Sequence, residues 1–334
     1  MLNEVMLISV LVPTYNRCES LKKCFESLVA QEYKEFEVVI VDGGSTDGTK
    51  ELIDQYRDKL NIQFTTSKLG LVQTMNVAWQ TAKGEVVTRT DDDVIVTPQW
   101  LSEIARAFAS VDMIGGVTGP TLIPEERLEY RDLLYFNQRF REGKNPVWKL
   151  IGKFYYDYIL EGQQNAVGKV FRSGAFSVGP NYKECLDIPG IIEVDYLEAC
   201  NMSLKRELLA QIGGFDEEYK EVAEWHEPDT CYKIKKLGYK MVFNPKAVLC
   251  HYPSQSGIYQ ARSNAFWRPH NFIRFYLKHI QVDSFSKFHR FFAYLLFMNT
   301  YFVYKFVITR RLSQLSAIPG TIYGLVKYSF RTKK

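Results

Sequence analysis

Short apolar runs alternate with amphipathic stretches along the first third of the chain. Leu7 to Val12 is a continuous apolar run of strand length, of the kind buried on both faces in a parallel sheet. Pro13-Thr14-Tyr15-Asn16-Arg17 breaks it, and Glu19 to Ala30 then sets Leu21, Cys24, Phe25 and Leu28 on one helical face. Phe36 to Val41 is a second buried strand. It ends in a Gly-rich loop, Asp42 to Thr49, with Asp47 as the expected N-cap of a helix over Thr49–Tyr56. Ile62–Thr66 reads as a third strand, Gly70–Ala82 as a helix and Val86–Thr90 as a fourth strand. A helix over Trp100–Phe108 and a strand over Met113–Thr118 follow. This alternation predicts an α/β fold, a doubly wound and mostly parallel sheet with helices on both faces.

The later pattern is less regular. Glu125 to Gln164 is polar and aromatic, with Tyr130, Tyr135, Phe136, Phe140, Trp148 and Tyr155. It reads as a helical excursion packed on the domain, with an acceptor lid as the alternative. Gly168–Pro180 suggests a hairpin, Thr230–Leu237 a helix, and Val242–Pro245 with Ala247–His251 short strands. Phe291 to Ile308 is the most apolar run and has about the minimum length for a membrane span, yet Asn299 and Lys305 lie inside it. An interfacial helix is preferred over a span, and Pro319-Gly320 is expected to separate it from a second piece, Ile322–Phe330.

Composition is ordinary for a globular protein, but charge is not evenly spread. The net charge is +4, while Ser284 to Lys334 holds no Asp or Glu and nine Lys or Arg, including Arg331, Lys333 and Lys334. The rest of the chain is therefore net acidic, and the basic, aromatic tail suggests an anionic membrane surface. No nucleic-acid partner is expected. The six cysteines form no C-x-x-C pair, so reduced thiols in a cytosolic setting are the default. The first residues run straight into a strand, so no signal peptide is expected.

Candidate chemistry gathers at the ends of the early strands, where right-handed crossovers bring loops to one edge. Val86–Thr90 ends in Asp91-Asp92-Asp93, read as a solvent-facing loop. Three adjacent carboxylates need a neutralising cation, and Mg²⁺ or Mn²⁺ with phosphate oxygens from a nucleotide would serve. A solvated acidic turn is the plain alternative. Asp42 could accept from a nucleobase or ribose, or simply form its turn.

Taken together, PTYNR (13–17), VDGGSTDGT (41–49) and GEVVTRTDDD (84–93) resemble the family 2 glycosyltransferases of the GT-A fold, over roughly Ile8 to Tyr252. The resemblance implies a nucleotide-sugar donor carrying UDP or GDP, a divalent metal and inversion at the anomeric carbon. It implies that Asp42 contacts the base, Asp91 lies near the ribose, and Asp93 meets the metal and diphosphate. Pro13, Thr14, Tyr15, Arg17 and Asp92 complete the donor side. The family's Ala-Arg-Asn is replaced by Thr74-Met75-Asn76, so its Arg is missing. Glu193 to Arg206 resembles the family's acceptor-side segment, including Asn201, and Ile212 to Glu217 matches its GGFDE turn. In Glu224-Trp225-His226-Glu227-Pro228-Asp229, counting back from Gly238 sets Glu227 at the catalytic base. Trp225, His226 and Asp229 fall on the acceptor side, with His226 in place of the usual Glu. Capping of the helix is the plain alternative for Glu227 and Asp229. His251 matches a His that completes the metal's shell, and a loop with Arg262, Arg268 and His270 could close over the diphosphate. The Gln-x-x-Arg-Trp of processive members is absent, which implies a single transfer.

The expected organisation is a nucleotide-sugar-binding half (1–120), an acceptor-side half of the same domain (121–280) and a basic, amphipathic helical tail (281–334). The expected setting is the cytoplasmic face of a membrane, with a lipid-linked acceptor. Two further readings are a nucleotidyltransferase on the same kind of sheet and a non-catalytic membrane-associated scaffold.

Overall fold

The computed structural model describes residues 6–68, 70–110, 112–130, 134, 138, 140, 145–221, 223–253 and 265–329. Arg262, Tyr135, Phe136, Arg331, Lys333 and Lys334 lie outside the described residues.

Four parallel strands build the first half of the main sheet: β1 (Ile8–Thr14), β2 (Phe36–Asp42), β3 (Ile62–Thr66) and β4 (Val86–Arg89). Their side chains alternate between two cores. Val10, Val12, Val38 and Ile40 face α1 (Cys18–Val29), α2 (Thr49–Tyr56) and α4 (Trp100–Ser110), while Leu11, Val39, Val41 and Val87 face the other layer. Helix α1 buries the expected Leu21, Cys24, Phe25 and Leu28. Each large apolar side chain there contributes about 1.5–3 kcal/mol of burial. Helix α3 (Leu71–Thr81) begins the second layer.

Parallel pairing does not continue across the sheet. After β5 (Val94–Val96), β6 (Ile114–Thr118) and β7 (Thr121–Leu122) come β8 (Ile192–Val194), β9 (Met202–Lys205), β10 (Lys240–Phe243) and β11 (Leu249–His251). The order is β3-β2-β1-β4-β9-β6-β10-β8, and β9 runs antiparallel to both β4 and β6. The sheet is thus parallel in its first half and mixed in its second. A separate small sheet, β5-β11-β7, sets His251 opposite Val94.

The polar–aromatic stretch carries a 3₁₀ turn (Glu125–Tyr130), α5 (Pro146–Lys153) and a π-turn (Phe154–Ile159), and ends in turns over 160–164. The expected hairpin at 168–180 reduces to one bridge, Val170 to Phe176. Helix α6 (Arg206–Gln211) leads into the GGFDE turn, where Gly214 has φ +77° and a Cβ would lie 2.8 Å from Asn76 Oδ1. Asn76 clasps this turn, accepting from Phe215 N (2.9 Å) and donating to Phe215 O (3.0 Å).

Several expectations need correction. Asp47 does not cap α2: Gly48 occupies that position, and Asp47 accepts from Cys18 N at the start of α1 (2.8 Å). Helix α7 spans His226–Lys235, beginning four residues before the expected Thr230. Trp225, left-handed at φ 73°, turns the chain into it, and Pro228 fits a first turn that needs no N–H. Pro319-Gly320 likewise breaks nothing, because it sits in the first turn of α10 (Ala317–Ser329).

Helix α8 (Trp267–Phe275) continues into a π-turn (Tyr276–Ile280) and is followed by α9 (Phe285–Thr309). One face of α9 (Phe291, Tyr294, Leu295, Met298 and Phe302) packs into the main core. Its other face leaves Phe285, Phe288, Phe292, Leu296, Val303 and Val307 exposed. Among the described residues, α9 is the one helix long and apolar enough to cross a membrane by length and composition.

Asp229 binds α7 to this C-terminal part. Its fully buried carboxylate meets Lys278 Nζ (2.6 Å), His279 Nε2 (2.7 Å), Lys233 Nζ (3.0 Å) and the Tyr219 hydroxyl (3.1 Å). Burial pushes its pKa up, but His279 and the two lysines win and hold it far below the usual carboxylate range. Asp229→Asn should destabilise the protein by on the order of 3 kcal/mol, because it removes the buried charge on which His279 and the half-buried Lys233 and Lys278 converge. A depressed folded pKa adds stability above the unfolded value, about 4, and loses it as pH falls. The gap between wild type and variant in urea denaturation should therefore narrow below about pH 4.

Candidate active site

The register of the first four strands brings three loops to one edge. Thr14 pairs with Asp42, Asp42 with Thr66, and Leu11 with Arg89. The first two loops are laced together: Asn16 N donates to Ser45 Oγ (2.8 Å) and Thr46 N to Asn16 Oδ1 (2.8 Å). Asp42 accepts from Ser45 N (3.0 Å) and closes its own turn. Tyr15 lies against Gly43, where a Cβ would come within 3.1 Å of its ring. Pro13 is the last but one residue of β1, paired with Val41.

The acidic triplet is not a solvent-facing loop. Asp92 and Asp93 are buried, and their neutralisation is built into the chain. Arg17 NH1 reaches Asp92 Oδ1 and Asp93 Oδ2, both at 2.9 Å, and Thr14 Oγ1 donates to Asp92 Oδ2 (2.8 Å). Burial pushes Asp92 up to about 7, with Asp93 adding to this against the pull of Arg17. His251 Nε2 lies 3.1 Å from Asp93 Oδ1, as its position opposite Val94 requires. Tyr252 N donates to Asp93 O (2.8 Å) and fastens the same junction. Behind the ring, Cys200 Sγ lies 3.6 Å from His251 Nδ1. Burial lowers the His251 pKa, but Cys200 and Asp93 more than reverse this and hold it well above the ordinary value.

These residues fit a hard divalent ion. Two cis ligands of an octahedral ion at about 2.1 Å lie about 3 Å apart, and Asp93 Oδ1 and His251 Nε2 are separated by 3.1 Å. Cys200 is the outer partner that fixes the imidazole's orientation. Asp91, Cys200 and His251 also form a cluster with their ligand atoms within 4.8 Å of one another.

Glu227 lies in the first turn of α7, close to the positive end of the helix dipole. Arg89 NH1 is 3.3 Å from Glu227 Oε1 and 2.9 Å from His226 Nε2, and its NH2 is 3.9 Å from Asp91 Oδ1. A guanidinium only donates, so His226 Nε2 accepts and Nδ1 carries the hydrogen. That nitrogen lies 2.7 Å from Ala223 O and 3.0 Å from Glu227 Oε2. Burial pushes the Glu227 pKa up, but His226 and Arg89 win and hold it below the usual range. Glu227 is thus kept as an anion.

Three residues expected on the acceptor side stand elsewhere. Asp229 faces inward to its cations. Asn201 is fully buried and ties loops together, donating to Pro120 O and Ala247 O and accepting from Trp100 Nε1. Trp225 is buried against Phe176 and Phe272. Arg268, expected near the diphosphate, pairs with Glu224 at 3.3 Å, and His270 is buried against Tyr328. Arg89 and Cys200 join the site without having been expected there. Arg89 had a signal, since two residues before Asp91 in a strand means the same face.

The mixed sheet with its acids at the strand ends is the fold of the GT-A glycosyltransferases. The structure resembles S. aureus TarS 1-349 in complex with UDP-GlcNAc, with a TM-score of 0.58 and 19% identity over 97% of this chain and 80% of that one. It also resembles the mannosyltransferase PcManGT from Pyrobaculum calidifontis in complex with GDP-Man and Mn²⁺, with a TM-score of 0.52 and 19% identity over 97% and 75%. These likenesses define the fold. A sequence model of glycosyl transferase family 2 matches residues 9–162, a little under half of the chain. It is 31% identical to Glycosyltransferase AglE of Haloferax volcanii over 170 residues, 48% of this chain and 56% of AglE. The chain thus spans little more than half of that relative.

Asp93→Asn preserves side-chain shape but gives up the charge that pairs with Arg17 and His251, so the melting temperature should fall while the fold is kept. In this variant, Mn²⁺ should no longer raise affinity for UDP or GDP in calorimetric titration.

Proposed function

We propose that the protein is an inverting, metal-dependent glycosyltransferase that moves one sugar from a UDP- or GDP-sugar to a membrane-presented, lipid-linked acceptor at the cytoplasmic face. The observation that carries this reading is the single guanidinium of Arg89, which spans the donor-side acid Asp91 and the carboxylate of Glu227. It sets a base beside the strand ends where a donor of this family is held. Asp42, with Tyr15 over Gly43, would take the base and ribose, and Asp91 the ribose hydroxyls. Asp93 and His251 would hold Mn²⁺ or Mg²⁺, which when bound neutralises charge on the departing diphosphate.

Glu227 accepts the proton of the acceptor hydroxyl as that oxygen attacks the anomeric carbon. The bond from that carbon to the diphosphate oxygen breaks, and the nucleoside diphosphate leaves with the bonding pair. His226 and Arg89 hold the carboxylate in place. Nucleoside diphosphates and their sugars occupy the structural neighbours, and intact Asp91, Asp93 and Glu227 speak against a mere scaffold.

The membrane part of the reading rests on α9 and α10. These helices and the 3₁₀ turn between them (Leu312–Ser316) expose Leu296, Val307, Leu312, Ile322 and Val326, and their segment carries Lys and Arg but no Asp or Glu. Such a face suits an anionic lipid interface, with the opposite face of α9 already packed on the core.

Two outcomes check this. Glu227→Gln is nearly isosteric but cannot take a proton, so transfer should fall by at least about a hundredfold. Donor affinity should stay within a few-fold of wild type, and retained turnover would rule Glu227 out as the base. Replacing Leu296, Val307 and Leu312 together by Asp should cut co-sedimentation with anionic vesicles at least about tenfold. Mn²⁺-dependent UDP or GDP binding should be untouched, and unchanged sedimentation would place the membrane contact elsewhere.

A further inference from the structure

We infer that Arg89 is a positioning residue that holds Glu227 in its working orientation and charge state and makes the donor acid Asp91 share that counter-ion. This rests on Glu227 being the base. Arg89 is an unusual occupant of its place: a guanidinium at the end of the central strand β4, only 4% exposed. Buried charges are tolerated when paired and hydrogen-bonded. Arg89 is only partly so, because its buried Nε finds no partner among the described residues. A cation kept there purely to stabilise the fold would be expected to satisfy all its donors. Instead its two terminal nitrogens point to two halves of the site. NH1 serves His226 Nε2 and Glu227 Oε1 from the acceptor side, and NH2 faces Asp91 Oδ1 from the donor side.

The backbone enforces this arrangement. Arg89 is paired on one side with Leu11 of β1 and on the other with Met202 of β9, so its Cα is fixed by the sheet. Glu227 comes from a different layer, on a helix entered through the left-handed Trp225. His226 bonds back to Ala223 O, itself in a positive-φ turn, and so the helix start is braced against Arg89. Arg89 is the direct tie between the strand that carries the donor acids and the helix that carries the base.

The charged and titratable groups facing Glu227 among the described residues are few. His226 adjoins it on the same helix, and Arg89 comes from β4. Cys231 lies one turn on, a thiol that burial pushes up to about 12 and that stays neutral. Arg89 is the permanent cation of this set. Removing its charge leaves burial to act on the carboxylate with less opposition, so the ionised form is lost at higher pH. The loss of an opposite charge at this distance moves a carboxylate by about 1–3 pH units.

The test is the pH profile of kcat/KM for Mn²⁺-dependent turnover of UDP-GlcNAc or GDP-Man, read as nucleoside diphosphate release. Wild type, Arg89→Met, Arg89→Lys and Glu227→Gln would be compared. Arg89→Met should move the acid limb up by about 1–3 pH units, while UDP or GDP affinity stays within a few-fold. Arg89→Lys keeps the charge but not the fork, so its acid limb should return toward wild type with kcat still reduced. An unmoved acid limb in Arg89→Met, or loss of kcat with no difference between Met and Lys, overturns the proposal. If Arg89→Met does not fold, the Lys variant decides alone: an acid limb within half a unit of wild type, with reduced kcat, supports the role, and a displaced one overturns it. Glu227→Gln separates the two levels. If its residual activity keeps the wild-type acid limb, Glu227 is not the base, and the functional reading fails independently of Arg89.

Discussion

Three successive carboxylates at the end of a buried strand repel one another, and burial makes that repulsion worse. The chain answers with cations from three separate elements. Arg17, at the start of α1, bridges Asp92 and Asp93. His251, from the small sheet, meets Asp93, and Arg89, two residues before the triplet, faces Asp91. Each of these contacts needs a particular register. Arg17 depends on β1 beside β4, His251 on its position opposite Val94, and Arg89 on β4 standing between β1 and β9. The fold and the site are therefore one problem: the sheet must close in this order for the acids to be tolerated. Once His251 gives up its proton, it and Asp93 face each other at a spacing a metal ion fits.

The early strands were legible because they are buried on both faces. Apolar runs such as Leu7–Val12 and Phe36–Val41 have no other good solution, and their breaks fall at Pro13 and Asp42. The antiparallel insertion of β9 was not legible, since Met202–Lys205 is short and its partners on β4 and β6 lie far back in the chain. The start of α7 was obscured by Trp225 and Pro228. A bulky residue in the left-handed region gives no sequence signal, and proline looks like a break when it is a first-turn residue. That shift explains why Asp229, read as a site residue, turns inward: it lies two helical positions, about 200°, from the face that Glu227 presents.

The C-terminal segment shows how one pattern serves two environments. Phe291, Tyr294, Leu295, Met298 and Phe302 recur at helical spacing and enter the core, yet the remaining face is apolar too. Hydropathy alone reads such a helix as a membrane segment. The packing divides it into a protein-facing side and an outward side, joined to a segment free of acids, as an interfacial element would be.

The central claim is that a base on α7 drives a single displacement on a donor held at the strand ends. Slow hydrolysis tests it without knowledge of the acceptor, because water can take the acceptor's place. UDP-GlcNAc and GDP-Man are α-linked donors, so proton NMR of the sugar first released, before mutarotation, reports the face attacked. Inversion would release the β-anomer together with free UDP or GDP. Release of the α-anomer, or of pyrophosphate in place of the nucleoside diphosphate, would contradict it.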